Sequence, residues 1–144
     1  MAKIYVASSW RNNWQPEIVE LLRKWGHEVY DFRHPTPNNY GFAWSSIDKD
    51  WLFWQPHTFR ECLNHSIAEK GFGFDMRALN WCDTCLLVLP CGRSAHLELG
   101  YAIGQGKRTA IYMPEKSEPE LMYKMVDRII INERELGEWS DSIK

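Results

Sequence analysis

Residues 84–106 read TCLLVLPCGRSAHLELGYAIGQG, in which an apolar run leads directly into a helical pattern. The run at 84–90 is continuous, as expected of a strand that is buried on both faces of a sheet. The pattern at 95–105 has the period of a helix. A buried strand followed by a helix is the repeating unit of an α/β domain, so this stretch predicts that fold class.

The rest of the chain repeats this alternation. We expect a single flavodoxin-like or Rossmann-like domain over residues 1–144, with a mostly parallel five-stranded sheet and helices on both faces. Ligands of such sheets bind at the carboxyl ends of the strands. The predicted strands are 3–8, 27–32, 84–90, 108–114 and 128–132, and the predicted helices are 16–26, 57–70, 73–81, 95–105 and about 118–126.

A Trp-rich segment at about 34–60 interrupts this pattern. It begins with Pro, Asn, Gly and Ser, and Trp44, Trp51, Phe53 and Trp54 fall within eleven residues. Long loops in compact domains often form lids or binding segments, so we expect an insertion or lid here. The aromatic side chains fit either a satellite core or a surface on which a nucleobase stacks.

The composition argues against nucleic-acid polymers and membranes as partners. The 144 residues carry a net charge of −2, so no positive field attracts a phosphate backbone or an anionic lipid surface. The N-terminal MAKIYVASSW has too short an apolar run for a signal peptide or a membrane-spanning helix. We expect a soluble, cytoplasmic protein that acts on a small molecule.

Motifs for metals and cofactors are incomplete. Cys82 and Cys85 form a C-x-x-C pair near Cys91 and His96, but no second pair follows, which favours buried thiols over a zinc or redox site. The loop after the first strand has neither G-x-G-x-x-G nor G-K-[ST]. We therefore expect no metal and no cofactor.

One carboxylate, Glu98, interrupts the helix at 95–105. On a wheel at about 100° per residue it lies at the margin of the core-facing stripe. A capping box starting at Ser94 would need its acid at the position of Leu97. Two interpretations remain open: a surface acid that complements the helix dipole, or a nucleophile or base at the carboxyl end of a strand. The stripe comprises Ala95, Leu99, Ala102, Ile103 and Gly106.

Other polar side chains lie near the ends of predicted strands. The segment ASSWRN at 7–12 offers donors where this fold class binds anions or sugars. Asp83 is interpreted as a turn residue bonded to nearby backbone N–H groups. Asp75 is either a charge near the start of the predicted helix 73–81 or a site residue. The donors of the segment are Ser8, Ser9, Arg11 and Asn12.

Three segments in order resemble the nucleoside 2-deoxyribosyltransferase family. KIYVASSW at 3–10 is similar to the family's first strand, and DMRALNWCD at 75–83 to its paired aspartates. HLELGYAIGQGK at 96–107 is similar to its run E-L-G-Y-A followed by G-K. The resemblance covers 3–10 and about 72–132 and implies a superfamily that also includes nucleoside-monophosphate N-glycosidases.

The resemblance assigns roles to individual residues. It implies that Glu98 is the nucleophile, that Tyr5 holds the Glu98 carboxylate, and that Asp75 handles the leaving base. A carboxylate so placed can trap C1′ of the sugar as an ester after an oxocarbenium-like transition state. The implied activity is cleavage of the N-glycosidic bond of a nucleoside or (deoxy)nucleotide, with transfer to water or to a second base.

The chain departs from the family pattern just before the nucleophile. The transferases often carry an aspartate six residues before it, whereas this chain has Gly92, followed by Arg93 and Ser94. The related monophosphate N-glycosidases bind a 5′-phosphate with serine, glycine and arginine from two loops, and Ser9 and Arg11 lie in the other loop. The resemblance thus favours a nucleotide over a free nucleoside.

The segment ELMYKMVD at 120–127 resembles one that reaches into a neighbouring subunit's site in the family, with Glu120 and Met122 at the reaching positions. It implies a homodimer or larger homo-oligomer with shared active sites. Two competing hypotheses remain. One is an NAD glycohydrolase similar to Toll/interleukin-receptor-like domains, and the other is a non-catalytic nucleotide sensor that has kept the fold.

Overall fold

A computed structural model describes all of residues 1–144. It contains five strands, five α-helices and three short 3-10 helices, and none of the helices is long and apolar enough to cross a membrane. The strands are β1 Lys3–Ala7, β2 Glu28–Asp31, β3 Thr84–Val88, β4 Arg108–Tyr112 and β5 Arg128–Ile130. The helices are α1 Gln15–Lys24, α2 Pro56–Cys62, α3 Ser66–Trp81, α4 Arg93–Gly104 and α5 Glu133–Ser142, and the 3-10 helices are Trp44–Ser46, Trp51–Phe53 and Leu121–Met125.

The five strands form one sheet in the order β2-β1-β3-β4-β5, and every pair is parallel. This is the flavodoxin-like order, so the predicted fold class is confirmed. After β1 the chain adds β2 on one side of the sheet, and after β3 it adds β4 and β5 on the other side. The carboxyl ends of β1 and β3 therefore border the switch point at which open α/β sheets bind ligands.

Helices cover both faces of the sheet. On one face, the side chains of Ile4, Val6, Leu86 and Val88 alternate inward and join α1 and α5 in the main hydrophobic core. On the other face, α4 packs against β1, β3 and β4. Its inward residues are small or apolar, which allows close approach to the sheet, and they are Ala95, Leu99 and Ala102.

The chain divides into two compact units. One, which we call the sheet unit, comprises Met1–Asp31 and Leu79–Lys144. The other, Phe32–Ala78, is called the aromatic unit, and Ala68 and Ala78 are its only buried residues.

Four rings of the aromatic unit pack edge to face. Trp44 contacts Phe42, Trp54 and Phe59 with ring centroids 4.7, 5.6 and 5.9 Å apart. Phe42 also lies against Gly71, where a Cβ would approach the Phe42 Cβ to 3.0 Å. This geometry favours the satellite core for Trp44 and Trp54, whereas Phe53 is 80% exposed.

Several predicted boundaries were wrong. The break between the second and third helices lies at 63–65 rather than near 71–72, so α3 begins at Ser66. The predicted helix at 118–126 is a 3-10 helix, and α5 was not predicted. Gly106 does not belong to the core-facing stripe of α4. It is exposed beyond the end of the helix, with φ of 72°.

Candidate active site

The side chains of Tyr5 and Glu98 meet in the sheet unit. Tyr5 lies in the middle of β1 and is completely buried, and its hydroxyl donates a hydrogen bond to Glu98 Oε2 from α4. Glu98 is half-buried. The structure therefore joins two of the residues that the sequence selected, although 93 positions separate them in the chain.

The carboxyl group of Glu98 is surrounded mainly by protein. Burial raises its pKa to about 8, because desolvation penalises the charged form. The Tyr5 hydroxyl opposes this effect by donating to the carboxyl group, but it compensates for only part of the lost hydration. A carboxyl group with a pKa near neutrality is typical of residues that transfer protons or form covalent intermediates.

Tyr5 is held in place by a neighbouring strand. The parallel register places Tyr30 of β2 directly opposite it. The two rings stack with centroids 5.1 Å apart and an interplanar angle of 24°. The sequence analysis did not select Tyr30, and the signal would have been an aromatic residue at the matching position of the adjacent strand.

The first turn of α4 differs from the predicted one. The helix begins at Arg93 with Gly92 as its N-cap, so Ser94 is not the cap. No acidic residue lies in the first turn, which leaves Glu98 in the second. The interpretation of Glu98 as a first-turn dipole partner is therefore wrong.

Two loops border the switch point and are bonded to each other. The Ser8 hydroxyl donates to the Val88 carbonyl at 2.8 Å, and the Asn12 amide donates to the carbonyls of Val88 and Pro90 at 3.1 and 2.9 Å. The Asn12 oxygen also accepts from the backbone N–H groups of Trp14 and Gln15 at the start of α1. Ser8 and Asn12 are buried, and these bonds hold the two loops together.

Other side chains of these loops face solvent. Arg11 is exposed in the first loop, and Arg93 and Ser94 are exposed at the start of α4. Ser9 is half-buried. No side chain caps the N-terminus of α4, so this end of the helix has backbone N–H donors without side-chain partners. We call the two arginines and these N–H groups, which lie on the two loops that border the switch point, the positive rim.

The other selected residues are placed as follows. Asp75 lies within α3 in the aromatic unit and is half-buried, so it is not a charge at a helix N-terminus. Asp83 accepts from the Lys3 backbone N–H at 3.2 Å and pairs with Arg108 at 3.5 Å, so its partners lie on β1 and β4 rather than in a local turn. Met122 is exposed at the surface of the sheet unit.

Glu120 has a local role. Its carboxylate accepts from the Met122 backbone N–H at 3.0 Å and caps the 3-10 helix Leu121–Met125. The cysteines are all reduced, and the residues of the chain form no cluster of three or more metal-binding side chains. Burial raises the pKa of the Cys82 thiol, which keeps it protonated.

A groove of about 600 Å³ runs along α4 in the sheet unit, and Glu98 does not line it. One wall is the face of α4 with His96, Leu99 and Ile103, and the other is the segment 117–125. His96 contacts Tyr123 across it. Glu98 and the groove thus lie on different faces of α4.

No protein-family model matches the chain, and no curated protein is significantly similar to it in sequence. Solved structures are similar in fold. The 2-deoxyribosyltransferase of Bacillus psychrosaccharolyticus has a TM-score of 0.65 and 20% identity, and the match covers 94% of this chain and 90% of that one.

Two further structures match over nearly their full length. A conserved protein of Enterococcus faecalis V583 has a TM-score of 0.63 and 13% identity, with 99% of this chain and 98% of that one covered. The CMP N-glycosidase of Clostridium botulinum has a TM-score of 0.52 and 16% identity, with 96% of each chain covered. These similarities confirm the fold that the sequence resemblance implies.

Proposed function

We propose that this protein cleaves the N-glycosidic bond of a nucleoside 5′-monophosphate, with Glu98 as the nucleophile. The observation that carries the proposal is the hydrogen bond from the buried Tyr5 hydroxyl to the Glu98 carboxyl group beside the β1–β3 switch point. A structural acid would not need a buried donor and a raised pKa at this position. The activities named for two solved structures with this fold, a 2-deoxyribosyltransferase and a CMP N-glycosidase, support the same chemistry.

The chemistry proceeds in two displacements. A Glu98 carboxylate oxygen forms a bond to C1′ as the C1′–N bond breaks, and the electron pair stays on the base nitrogen, which acquires a proton. Water or a second base then attacks C1′ and releases Glu98. The resemblance assigns the proton of the leaving base to Asp75, and that assignment rests on the resemblance alone.

The positive rim supports a nucleotide as the substrate. A 5′-phosphate carries up to two negative charges, and arginine guanidinium groups bind phosphate with paired, charge-assisted hydrogen bonds. Arg11 and Arg93 are exposed on the two loops that Ser8 and Asn12 bond together. We expect these arginines to bind the phosphate while the sugar lies over Glu98.

The test is base release from a panel of nucleosides and nucleoside monophosphates, with and without a second free base, followed by chromatography. Wild-type protein is expected to release base from at least one monophosphate. Glu98→Gln should reduce the rate by at least about a hundredfold, because it removes the nucleophile while keeping a similar volume. Glu20→Gln, at an exposed position of α1, is the matched control and should retain full activity.

Two results would contradict the proposal. One is release of base by Glu98→Gln at the wild-type rate. The other is tight binding of an unreacted nucleotide by both proteins, which would favour the sensor. Arg93→Ala is expected to weaken binding of the monophosphate and to leave binding of the corresponding nucleoside unchanged. Equal effects on the binding of both would refute the assignment of the phosphate to Arg93.

A further inference from the structure

His96 bridges two segments of the sheet unit from the groove side of α4. Its Nδ1 lies 2.7 Å from the carbonyl oxygen of Gly92, and its Nε2 lies 2.7 Å from the hydroxyl of Tyr123. The His96 and Tyr123 rings also stack, with centroids 5.7 Å apart and an interplanar angle of 16°. One imidazole thus joins the loop before α4 to the 3-10 helix Leu121–Met125.

These contacts fix the position of the ring proton. A carbonyl oxygen can only accept a hydrogen bond, so Nδ1 must carry a proton and donate to the Gly92 oxygen. In the neutral ring Nε2 is then an acceptor, and the Tyr123 hydroxyl donates to it. Burial raises the pKa of Tyr123, which keeps this hydroxyl protonated as a donor. The Gly92 carbonyl therefore requires the Nδ1–H tautomer, and the Tyr123 hydroxyl stabilises it as the donor to Nε2.

The bond to Gly92 also orients the next backbone amide. In a planar trans peptide the C=O and the following N–H point in opposite directions. A Gly92 carbonyl that is directed toward His96 therefore directs the Arg93 N–H away from it. The Arg93 N–H is one of the first N–H groups of α4 and points out of the N-terminal end of the helix.

Gly92 needs such an external constraint. It has no side chain, nothing lies within 4 Å of the position that a Cβ would occupy, and no side chain caps the helix at this point. Glycine also has the largest range of accessible backbone conformations. The His96 ring therefore adds a bond to a peptide at the helix start that no capping side chain holds.

We propose that His96 is a positioning residue, held in its Nδ1–H tautomer by the Gly92 carbonyl and the Tyr123 hydroxyl together, that orients the Gly92–Arg93 peptide for binding of the substrate phosphate. This inference rests on the proposed function, since it assumes that the loop 91–94 binds the phosphate. It assigns His96 no contact with the reacting atoms. A purely structural histidine would contribute to stability alone, whereas a positioning residue affects binding of the phosphate.

The test combines spectroscopy with kinetics on the full chain. Side-chain ¹⁵N spectra of histidine should show His96 protonated at Nδ1, and Tyr123→Phe should convert it to a mixture of tautomers. His96→Ala should shift the backbone amide signal of Arg93 and raise the KM for a nucleoside 5′-monophosphate about tenfold, as expected for the loss of one positioning hydrogen bond, with kcat changed less than about twofold. The KM for the corresponding nucleoside should stay unchanged.

His96→Asn is the rescue variant, because the Asn amide nitrogen occupies nearly the position of Nδ1 and can donate to Gly92. It should restore both the Arg93 signal and the KM. His57→Ala, an exposed histidine of the aromatic unit, is the control and should change neither. If His96→Ala does not fold, the Tyr123→Phe and His96→Asn spectra still decide the tautomer and the amide orientation.

The outcomes separate this inference from the proposed function. An Nε2-protonated His96, or an Arg93 signal and a KM that are unaffected by His96→Ala, would overturn the inference while base release stands. Absence of base release from the wild-type protein would refute the proposed function. In that case the KM is replaced by the dissociation constant of the nucleoside monophosphate, measured by calorimetry, with the same expected tenfold change.

Discussion

At the residue scale, the chemistry depends on the charge of one carboxyl group. The pKa of Glu98 is raised to about 8 by burial, and only the ionised form is a nucleophile. A buried phenol donates to the same group. The protein therefore combines an effect that disfavours the carboxylate with a contact that favours it, and the balance sets the pH at which the proposed reaction begins.

This balance predicts the pH profile. Because the pKa is raised, Glu98 is mostly protonated below pH 8, so kcat/KM should rise about tenfold per pH unit up to about pH 8 and then level off. Tyr5→Phe removes the donor and should move the break to a higher pH while lowering the rate. The measurement is kcat/KM from pH 5 to 9.5. A rate that falls on passing pH 8 would identify Glu98 as a general acid instead.

A substitution at Gly92, the residue before α4, should change the preference between the monophosphate and the nucleoside. A side chain at Gly92 would meet no atom within 4 Å and its φ of −97° suits any residue, so Gly92→Asp should fold normally. The new carboxylate would repel a 5′-phosphate beside Arg93. We expect KM for the monophosphate to rise at least about tenfold, and KM for the nucleoside to rise less.

Gly92→Asn is the neutral control for that change. It has nearly the same volume as aspartate and should retain most of the affinity for the monophosphate. Equal KM values for Gly92→Asp and wild type with the monophosphate would show that the phosphate lies elsewhere.

At the scale of elements, the end of α4 explains the G-K that follows the E-L-G-Y-A run. Gly106 has φ of 72°, and the N–H groups of Gly106 and Lys107 donate to the carbonyls of Ile103 and Ala102, which is a Schellman motif. The Lys107 ammonium then donates to the carbonyls of Leu79, Asn80 and Cys82 at the end of α3. One turn thus ends α4 and caps α3.

Replacing Lys107 with Met should destabilise this junction. The change keeps the aliphatic stem and leaves the last carbonyls of α3 without their charged donor, so we expect the free energy of unfolding to fall by about 1–3 kcal/mol. Chemical denaturation monitored by circular dichroism measures it. Lys144→Met, which removes an exposed pair with Asp141, is the control and should change stability little. Equal free energies of unfolding for Lys107→Met and wild type would mean that water bonds the α3 carbonyls as well as the Lys107 ammonium does.

At the scale of the whole molecule, the aromatic unit leaves much of its apolar surface exposed. Of residues 32–78 only Ala68 and Ala78 are buried, while Leu52 and Phe53 are 75% and 80% exposed. Contiguous exposed apolar side chains commonly mark interaction surfaces. This observation supports the proposal, first made from the sequence, that the protein is a homo-oligomer.

The prediction for assembly follows from that exposure. Light scattering after size exclusion should give a mass of at least two chains at micromolar concentration. The double variant Leu52→Ser/Phe53→Ser should shift the mass toward that of one chain. Ile131→Ser, an exposed apolar position of the sheet unit, should leave the mass unchanged. A monomeric wild-type protein would contradict the prediction.

The sequence predicted most of the fold because the apolar composition of a buried strand can be read from the strand itself. The runs at 3–8, 84–90 and 108–114 are mostly apolar, and such runs occur where a parallel strand is covered on both faces. The predicted break between the second and third helices coincides with Gly71, which the structure places within α3. Packing of Phe42 against Gly71 shows instead that a glycine is required within the helix for close contact.

The sequence by itself determined the α/β class and the parallel sheet, since periodicity depends on neighbours in the chain, and its resemblance to a known family selected Tyr5 and Glu98. Only the tertiary structure decided that the Tyr5 hydroxyl donates to Glu98, that Ser8 and Asn12 hold the loops together, and that His96 bonds Gly92 and Tyr123. Apart from the local His96–Gly92 bond, these contacts join residues that lie far apart in the chain and meet only when the sheet forms. A pKa near 8 likewise depends on burial by the whole fold, which no local pattern specifies.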